Sequence, residues 1–171
     1  MIHRGTIARG LLIASTLFGA IGLFGASGAP GQAKLSPKWE ELTAADFRLG
    51  VSQSKGTCLL PFGILEKHGP HLPLGTDLLN VRYASLQAVA QEYAVVFPEY
   101  YFGQIFEAKH EPGTVAYSLD LQLKLLQETT DEMARNGCKK ILIVNGHGGN
   151  EYRFLFLRNL RWISRTTMSF M

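Results

Sequence analysis

The sequence predicts an α/β domain of three layers, with helices on both faces of a mainly parallel sheet. Three observations carry this. Short apolar runs alternate with segments of helical period along residues 57–163. The apolar runs are continuous, as in strands covered on both faces. Glycine-rich turns follow two of them, where a parallel sheet leads into its crossover helices.

Residues 57–65, TCLLPFGIL, read as a buried strand that runs into a turn-rich segment, EKHGPHLPLGTD at 66–77. From Leu78 to Tyr93 the apolar positions Leu78, Leu79, Val81, Leu86 and Val89 fall near helical spacing. A second apolar run, YAVVFPEYYFG at 93–103, reads as a strand interrupted or ended by Pro98, which has no N–H to give a ladder. Residues 104–117 mix Gly, Pro and charge without a period and read as a loop. Ser118 is an N-cap for a helix from Leu119 to about Asn136, and Gly137 is its stop. Leu121, Leu125, Thr129 and Met133, four apart, form its predicted buried face. KKILIVN at 139–145 is a β-branched strand, followed by a glycine turn and a helix from Asn150 or Glu151 that carries YRFLFLRNLRWI. The ending RTTMSFM has no turn chemistry. The sheet is therefore expected to stop after its third strand with an unpaired edge, leaving the domain incomplete at the C-terminus.

The chain has 171 residues, 46% of them hydrophobic and 18% charged, which suits one globular domain and excludes disorder. Its N-terminus has a separate character. Arg4 and Arg9 precede a charge-free apolar stretch through Ala26, and small residues, ASGAPGQA, come next. That layout is a secretory signal peptide, with cuts after Ala33 or Gly28 as candidates. Residues 1–33 are thus the expected signal and 34–171 the domain, exported to the periplasm or secreted. The competing reading keeps residues 10–29 as a membrane anchor, and a membrane is a partner only in that case. Without residues 1–33, 15 basic residues face 14 acidic ones. A formal charge of +3, scattered along the chain, excludes a nucleic-acid footprint. Export permits a disulfide between Cys58 and Cys138, the two cysteines, but their spacing leaves two buried thiols equally open.

Four histidines lie beyond residue 33, and His68, His71 and His147 fall in glycine-rich turns directly after predicted strands. His110 is the fourth. In an open parallel sheet, ligands bind beyond the carboxyl ends of the strands. Glu66 and His68, two apart, point the same way on an extended segment. Asp77 returns toward them after a loop holding Pro70, Pro73 and Gly75. Glu66, His68, Asp77 and His147 therefore form a candidate set for one or two divalent ions of the Zn, Mn or Fe type, with Asp77 as the candidate bridge. Other readings stand beside this one. Asp77 after Thr76 also reads as the N-cap of the next helix. Gly146, Gly148 and Gly149 also read as a tight turn or a weak phosphate cradle, although both common phosphate-loop patterns are absent.

The segments EKHGPHLPLGTD at 66–77, PGTVAYS at 112–118 and ILIVNGHGGN at 141–150 resemble, in order and separation, the signature of the creatininase (creatinine amidohydrolase) family. The resemblance runs from about Thr57 to about Asn159. It implies an α/β hydrolase that acts on cyclic or linear amide C–N bonds of small molecules through two divalent ions. It also implies Glu66, His68, Asp77 and His147 as metal ligands, Asp77 as the bridge, and His71 in support of them. Glu107 matches an acid in a family G-x-x-x-E segment beginning here at Gly103; the residue after that acid is usually His and is here Ala108. Glu107 and His110 are the candidate catalytic side chains, and the Gly148 and Gly149 N–H groups are candidate oxyanion donors. Two features depart from the pattern. Family members run longer and commonly carry a late H-A-G-x-x-E-T-S-like segment, which is missing after Asn150. Some place a second-ion Glu two residues after the histidine of NGH, where this chain has Gly149, and Glu151 stands four residues after it. The expectation is a metal-dependent amidohydrolase, and the resemblance and the open sheet edge both point to homo-oligomers. The alternative is an exported, non-catalytic binding domain of the same fold.

Overall fold

The computed structural model describes residues 35–150 and a strand at Thr167–Phe170. The signal or anchor segment and the helix read from Asn150 or Glu151 lie outside the described residues. Among those residues, no helix is long and apolar enough to cross a membrane.

Apolar side chains set the layers. Strand β1 (Thr57–Phe62) lies between β2 (Val95–Val96) and β3 (Lys140–Asn145), all parallel, and β3 pairs in parallel with β4 (Thr167–Phe170). The strand order is β2-β1-β3-β4. Cys58, Leu60 and Phe62 of β1 and Ile141 and Ile143 of β3 share a core with Leu126 and Met133 of helix α3 (Leu119–Arg135). Leu59 and Val96 belong instead to a core with Val89 of helix α2 (Thr76–Gln91), against which Leu86, Leu142 and Val144 pack. The two crossovers run in opposite directions across the sheet, so right-handed connections put their helices on opposite faces. This is the predicted α/β/α arrangement.

Four elements differ from the sequence reading. Helix α1 (Ala44–Gln53) was marked only by a short signal, Thr43 three before Asp46, and the Thr43 side chain accepts from Asp46 N at 3.2 Å. It packs Phe47 and Val51 on the α3 side of the sheet. The run 93–103 yields only the two-residue β2 and two isolated bridges, Lys38 to Val96 and Phe62 to Tyr100, because the ladder stops at Pro98. In α3 the buried face is Gln122, Leu126, Thr130 and Met133, while Leu121 is 42% exposed. The face is therefore rotated by one residue from the predicted one, and Met133 alone is common to both. Finally, the edge of β3 is paired: Lys140 to Ile143 align with Thr167 to Phe170. Thr167 and Phe170 are strand formers, and the edge of β3 gives the segment its partner.

Cys58 and Cys138 form a disulfide, with Cα atoms 5.8 Å apart and both residues buried. It joins the start of β1 to the residues leading into β3, at the end of the sheet opposite the turns that hold the candidate ligands.

Candidate metal centre

Strands β1 and β3 end side by side, Phe62 opposite Asn145, and Gly146 N donates to Phe62 O at 2.8 Å. The two turns therefore leave the sheet from adjacent points. Two glycines then admit the first turn of α2. A Cβ on Gly63 would lie 2.6 Å from Leu78 Cα, and one on Gly146 would lie 2.8 Å from Asp77 O and from Val81 Cβ. Close packing thus explains Gly146 without a phosphate. The chain between is held by Glu66 N donating to Leu74 O at 3.0 Å and Val115 N to Leu65 O at 3.1 Å.

The contact at Gly63 gives a first test. Gly63→Ala would drive a methyl into helix backbone beside Asp77, and overpacking of this kind costs about 1–3 kcal/mol. Urea denaturation should show that loss and zinc titration a weaker affinity. Parent values in both experiments would refute the packing account.

Asp77 lies inside α2, not at its cap: Gly75 holds the N-cap position, and no side chain caps that end. The Asp77 carboxylate faces the two turns instead. Its Oδ1 is 3.0 Å from His68 Nε2 and its Oδ2 is 2.9 Å from His147 Nδ1. Glu66 Oε1 is 3.5 Å from His68 Nε2 and 3.3 Å from His147 Nδ1. All four side chains are largely buried, with 11–20% of their surface exposed. Ligand atoms of Glu66, Asp77 and His147 all lie within 4.8 Å of one another. Small side-chain adjustments would bring them to the roughly 2.0–2.2 Å that oxygen and nitrogen ligands keep from a zinc-sized ion.

The imidazole of His68 shows why the set fits a cation. Its Nδ1 faces the Glu66 carbonyl oxygen at 3.2 Å, and its Nε2 faces Asp77 Oδ1. Both neighbours are acceptors, and a neutral imidazole carries one N–H. A proton on Nδ1 leaves the Nε2 lone pair against a carboxylate, which requires either a second proton or a cation between them. A backbone carbonyl behind the ring is also the usual way to orient a metal-binding histidine. In His147, Nε2 is buried beside Gly149 without a hydrogen-bond partner among the described residues, so Nδ1 is the ring atom that serves the cluster. Burial raises the Glu66 carboxyl above the usual carboxylate range; His147 and His68 lower it, while Asp77 and Glu107 raise it further.

The remaining predicted residues lie apart from these four. His71 is exposed on the turn after β1. His110 is 76% exposed, with Glu111 at 3.7 Å as its ion partner, so the fold does not bring it to the cluster. Glu107 is exposed, near enough to Glu66 for its charge to act there, and it accepts from Gln104 Nε2 at 2.8 Å. Gly148 begins a single 3-10 turn that ends at Asn150.

Three polar residues escaped the sequence reading. Asn145 Nδ2 donates to His147 O at 2.9 Å and Asn145 Oδ1 accepts from His147 N at 3.2 Å, fixing that backbone on both sides. Asn150, fully buried, donates to Asn145 Oδ1 at 3.1 Å and accepts from Gln104 N at 3.0 Å. The asparagines bracketing NGHGGN were the available signal for two of them; Gln104 had none.

Carboxylates and imidazoles converging beyond the carboxyl ends of a parallel sheet define an α/β protein with a candidate metal centre. The family description "Creatininase: Creatinine amidohydrolase" matches residues 40–161, and the chain belongs to that family. It is 28% identical over 132 residues to the creatinine amidohydrolase of Pseudomonas putida, covering 71% of this chain and 51% of that one. It is 37% identical over 99 residues to the mycofactocin precursor peptide peptidase of Mycolicibacterium smegmatis, covering 54% and 39%. A creatininase mutant solved in a Zn–Zn form superposes with a TM-score of 0.69 at 26% identity, over 80% of this chain and 57% of that one; a manganese creatininase also scores 0.69. The chain spans about half the length of the Pseudomonas relative and less of the mycobacterial one.

Proposed function

We propose that the protein is a metal-dependent amidohydrolase that cleaves a C–N bond of a small cyclic or linear amide. The observation that carries this is the Asp77 carboxylate, which presents one oxygen to His68 and the other to His147, with Glu66 against both rings. Zinc or manganese, two ions in all, suits this oxygen and nitrogen donor set, and the zinc and manganese forms of creatininase support the choice. Bound divalent ions lower the pKa of water toward about 7 and polarise a carbonyl oxygen. The chain's own residues supply the frame. Asp77 would offer a carboxylate oxygen on the His68 side and another on the His147 side, the Glu66 carbonyl orients His68, and Asn145 holds His147 by its backbone. Burial of the four side chains keeps the carboxylates from being satisfied by water alone. The buried Cys58–Cys138 bond supports the further reading that residues 1–33 direct export, since such bonds persist in oxidising compartments.

The test is metal titration of the whole protein followed by assays on creatinine, N-formyl and peptide amides. Zinc or manganese at 100 times its dissociation constant should stabilise the fold by about 2.7 kcal/mol, and a chelator should remove both that gain and any amide hydrolysis. The reading fails if chelation changes neither, or if His68→Ala and His147→Ala both keep the parent's metal content. Metal binding without turnover of any amide would leave the non-catalytic binding domain.

A further inference from the structure

We infer that the ion pair between Lys67 and Glu111 is a strap that aims the His68 ring, so that both side chains are positioning residues for a histidine neither of them touches. Its effect on metal affinity rests on the metal-dependent reading above; its effect on the ring does not. Lys67 stands between Glu66 and His68. On an extended segment those two share a side, and the residue between them faces the other way. The Lys67 side chain is accordingly 43% exposed, against 15% for Glu66 and 20% for His68. Its Nζ donates to Glu111 Oε2 at 2.7 Å, across 44 positions of sequence. The other Glu111 oxygen faces His110 Nε2 at 3.7 Å.

Glu111 is itself anchored. Its N–H donates to Ala108 O at 2.9 Å, and Thr114 N donates back to Glu111 O at 3.3 Å. Val115 N donates to Leu65 O at 3.1 Å, which ties the segment carrying Glu111 to the backbone next to Glu66. Gly113, at φ +81°, lies so close to the Leu74 side chain that a Cβ there would collide with it. Leu74 O in turn accepts from Glu66 N at 3.0 Å. The Lys67 ammonium therefore meets a carboxylate whose backbone is already seated against the same turn.

What the strap fixes is one peptide group. The Glu66 carbonyl oxygen that faces His68 Nδ1 at 3.2 Å belongs to the peptide joining Glu66 to Lys67. That group is planar, so its orientation follows the backbone dihedrals of the two residues it joins. A Lys67 pinned at its far end loses freedom in its own dihedrals, and the carbonyl stays on the ring. As an acceptor, that oxygen selects the tautomer with the proton on Nδ1. The Nε2 lone pair is then left toward Asp77 Oδ1, 3.0 Å away, the arrangement that a backbone carbonyl commonly gives a metal-binding histidine.

The experiment compares the full chain with Lys67→Gln, Glu111→Gln, the double variant and Lys67→Arg. Two quantities are read: zinc affinity by calorimetric titration, and the nitrogen chemical shifts of the His68 ring in the metal-free protein, above the pH at which histidine titrates. The parent ring should show one tautomer, protonated on Nδ1, and each Gln variant a mixture of the two. Each Gln variant should bind zinc about fivefold more weakly, the upper end of what a partly exposed ion pair contributes. The double variant should lose the same fivefold or so and no more, because the two side chains act as one unit. Lys67→Arg keeps the pair and should match the parent in both quantities, and urea midpoints should be alike throughout. Parent-like His68 shifts in Glu111→Gln overturn the inference, as do losses of affinity that multiply in the double variant. So does a fall in urea midpoint that accompanies every loss of affinity, since the pair would then serve stability alone. A parent that binds no zinc overturns the metal-dependent reading, and the ring shifts, measured without metal, still decide whether the strap exists.

Discussion

Asp77→Asn is expected to abolish the stabilisation of this protein by divalent ions while leaving the metal-free fold nearly unchanged. The amide keeps the size of the carboxylate but replaces one oxygen with an NH2 that has no lone pair to offer. Both Asp77 oxygens are engaged, one toward each histidine, so whichever way the amide turns, one cation position loses its ligand and the other loses the negative charge. The effect on the metal-free chain is small because two terms oppose. An acid in the first turn of α2 gains about 0.3–1 kcal/mol from the helix dipole, which asparagine forfeits. Against that, the neighbouring Glu66 carboxyl, already raised by burial, is relieved of a negative charge. Metal-free melting should therefore stay within about 1 kcal/mol of the parent, the usual scale for substitutions without a core defect. Adding zinc should raise the parent's melting temperature and leave the variant's flat, with affinity down by more than the 10–100-fold that outer partners contribute. A variant that binds zinc as the parent does would remove Asp77 from the centre and the shared-carboxylate account with it.

Asp77 also marks the limit of what the residues alone disclose. Thr-Asp before an apolar helix is the pattern of a cap and equally the pattern of a ligand; the fold puts Gly75 at the cap and turns the Asp77 carboxylate toward His68 and His147, which the dipeptide by itself does not disclose. Glu66, His68 and His147 were legible because each stands in a glycine-rich turn after a strand whose apolar character is plain. The polar frame was not. Gln104 and Asn150 meet across 46 positions of sequence, and no local period links them. The face of α3 was misread for a related reason. Its buried side carries Gln122 and Thr130, which satisfy themselves by bonding to Tyr117 O at 2.6 Å and Leu126 O at 2.9 Å. An apolar count therefore favoured the neighbouring row of Leu121, Leu125 and Thr129. Strand β4 depends on the edge it joins, and β2 on where Pro98 interrupts its run; neither is a property of the segment by itself.

Replacing both Cys58 and Cys138 by alanine is the substitution expected to cost the most stability. The bond closes a sequence separation of 80, and the chain-entropy relation gives about 4.5 kcal/mol of unfolded-state restriction for a loop of that length. That is a large share of the roughly 5–15 kcal/mol that holds a domain together. Both sulfurs lie in the core between the sheet and α3, so the loss includes packing as well as the cross-link. The chemistry should nevertheless survive in whatever fraction folds. Register runs unbroken from Cys58 opposite Ile141 to Phe62 opposite Asn145, and the ligand turns begin only beyond that end. About 13 Å of paired strand, at 3.3 Å per residue, thus separates the cross-link from the turns. Urea unfolding should therefore show a midpoint far below the parent's, while zinc affinity measured below that midpoint stays within about twofold, as expected for sites that share no partners. Reduction of the parent under mild denaturant should reproduce the first change. If the double variant unfolds within 1 kcal/mol of the parent, or if both cysteines alkylate in the native protein, the cross-link is not what joins these strands. If affinity falls along with stability, the register of β1 on β3 is transmitted to the ligands and the two ends of the sheet are coupled.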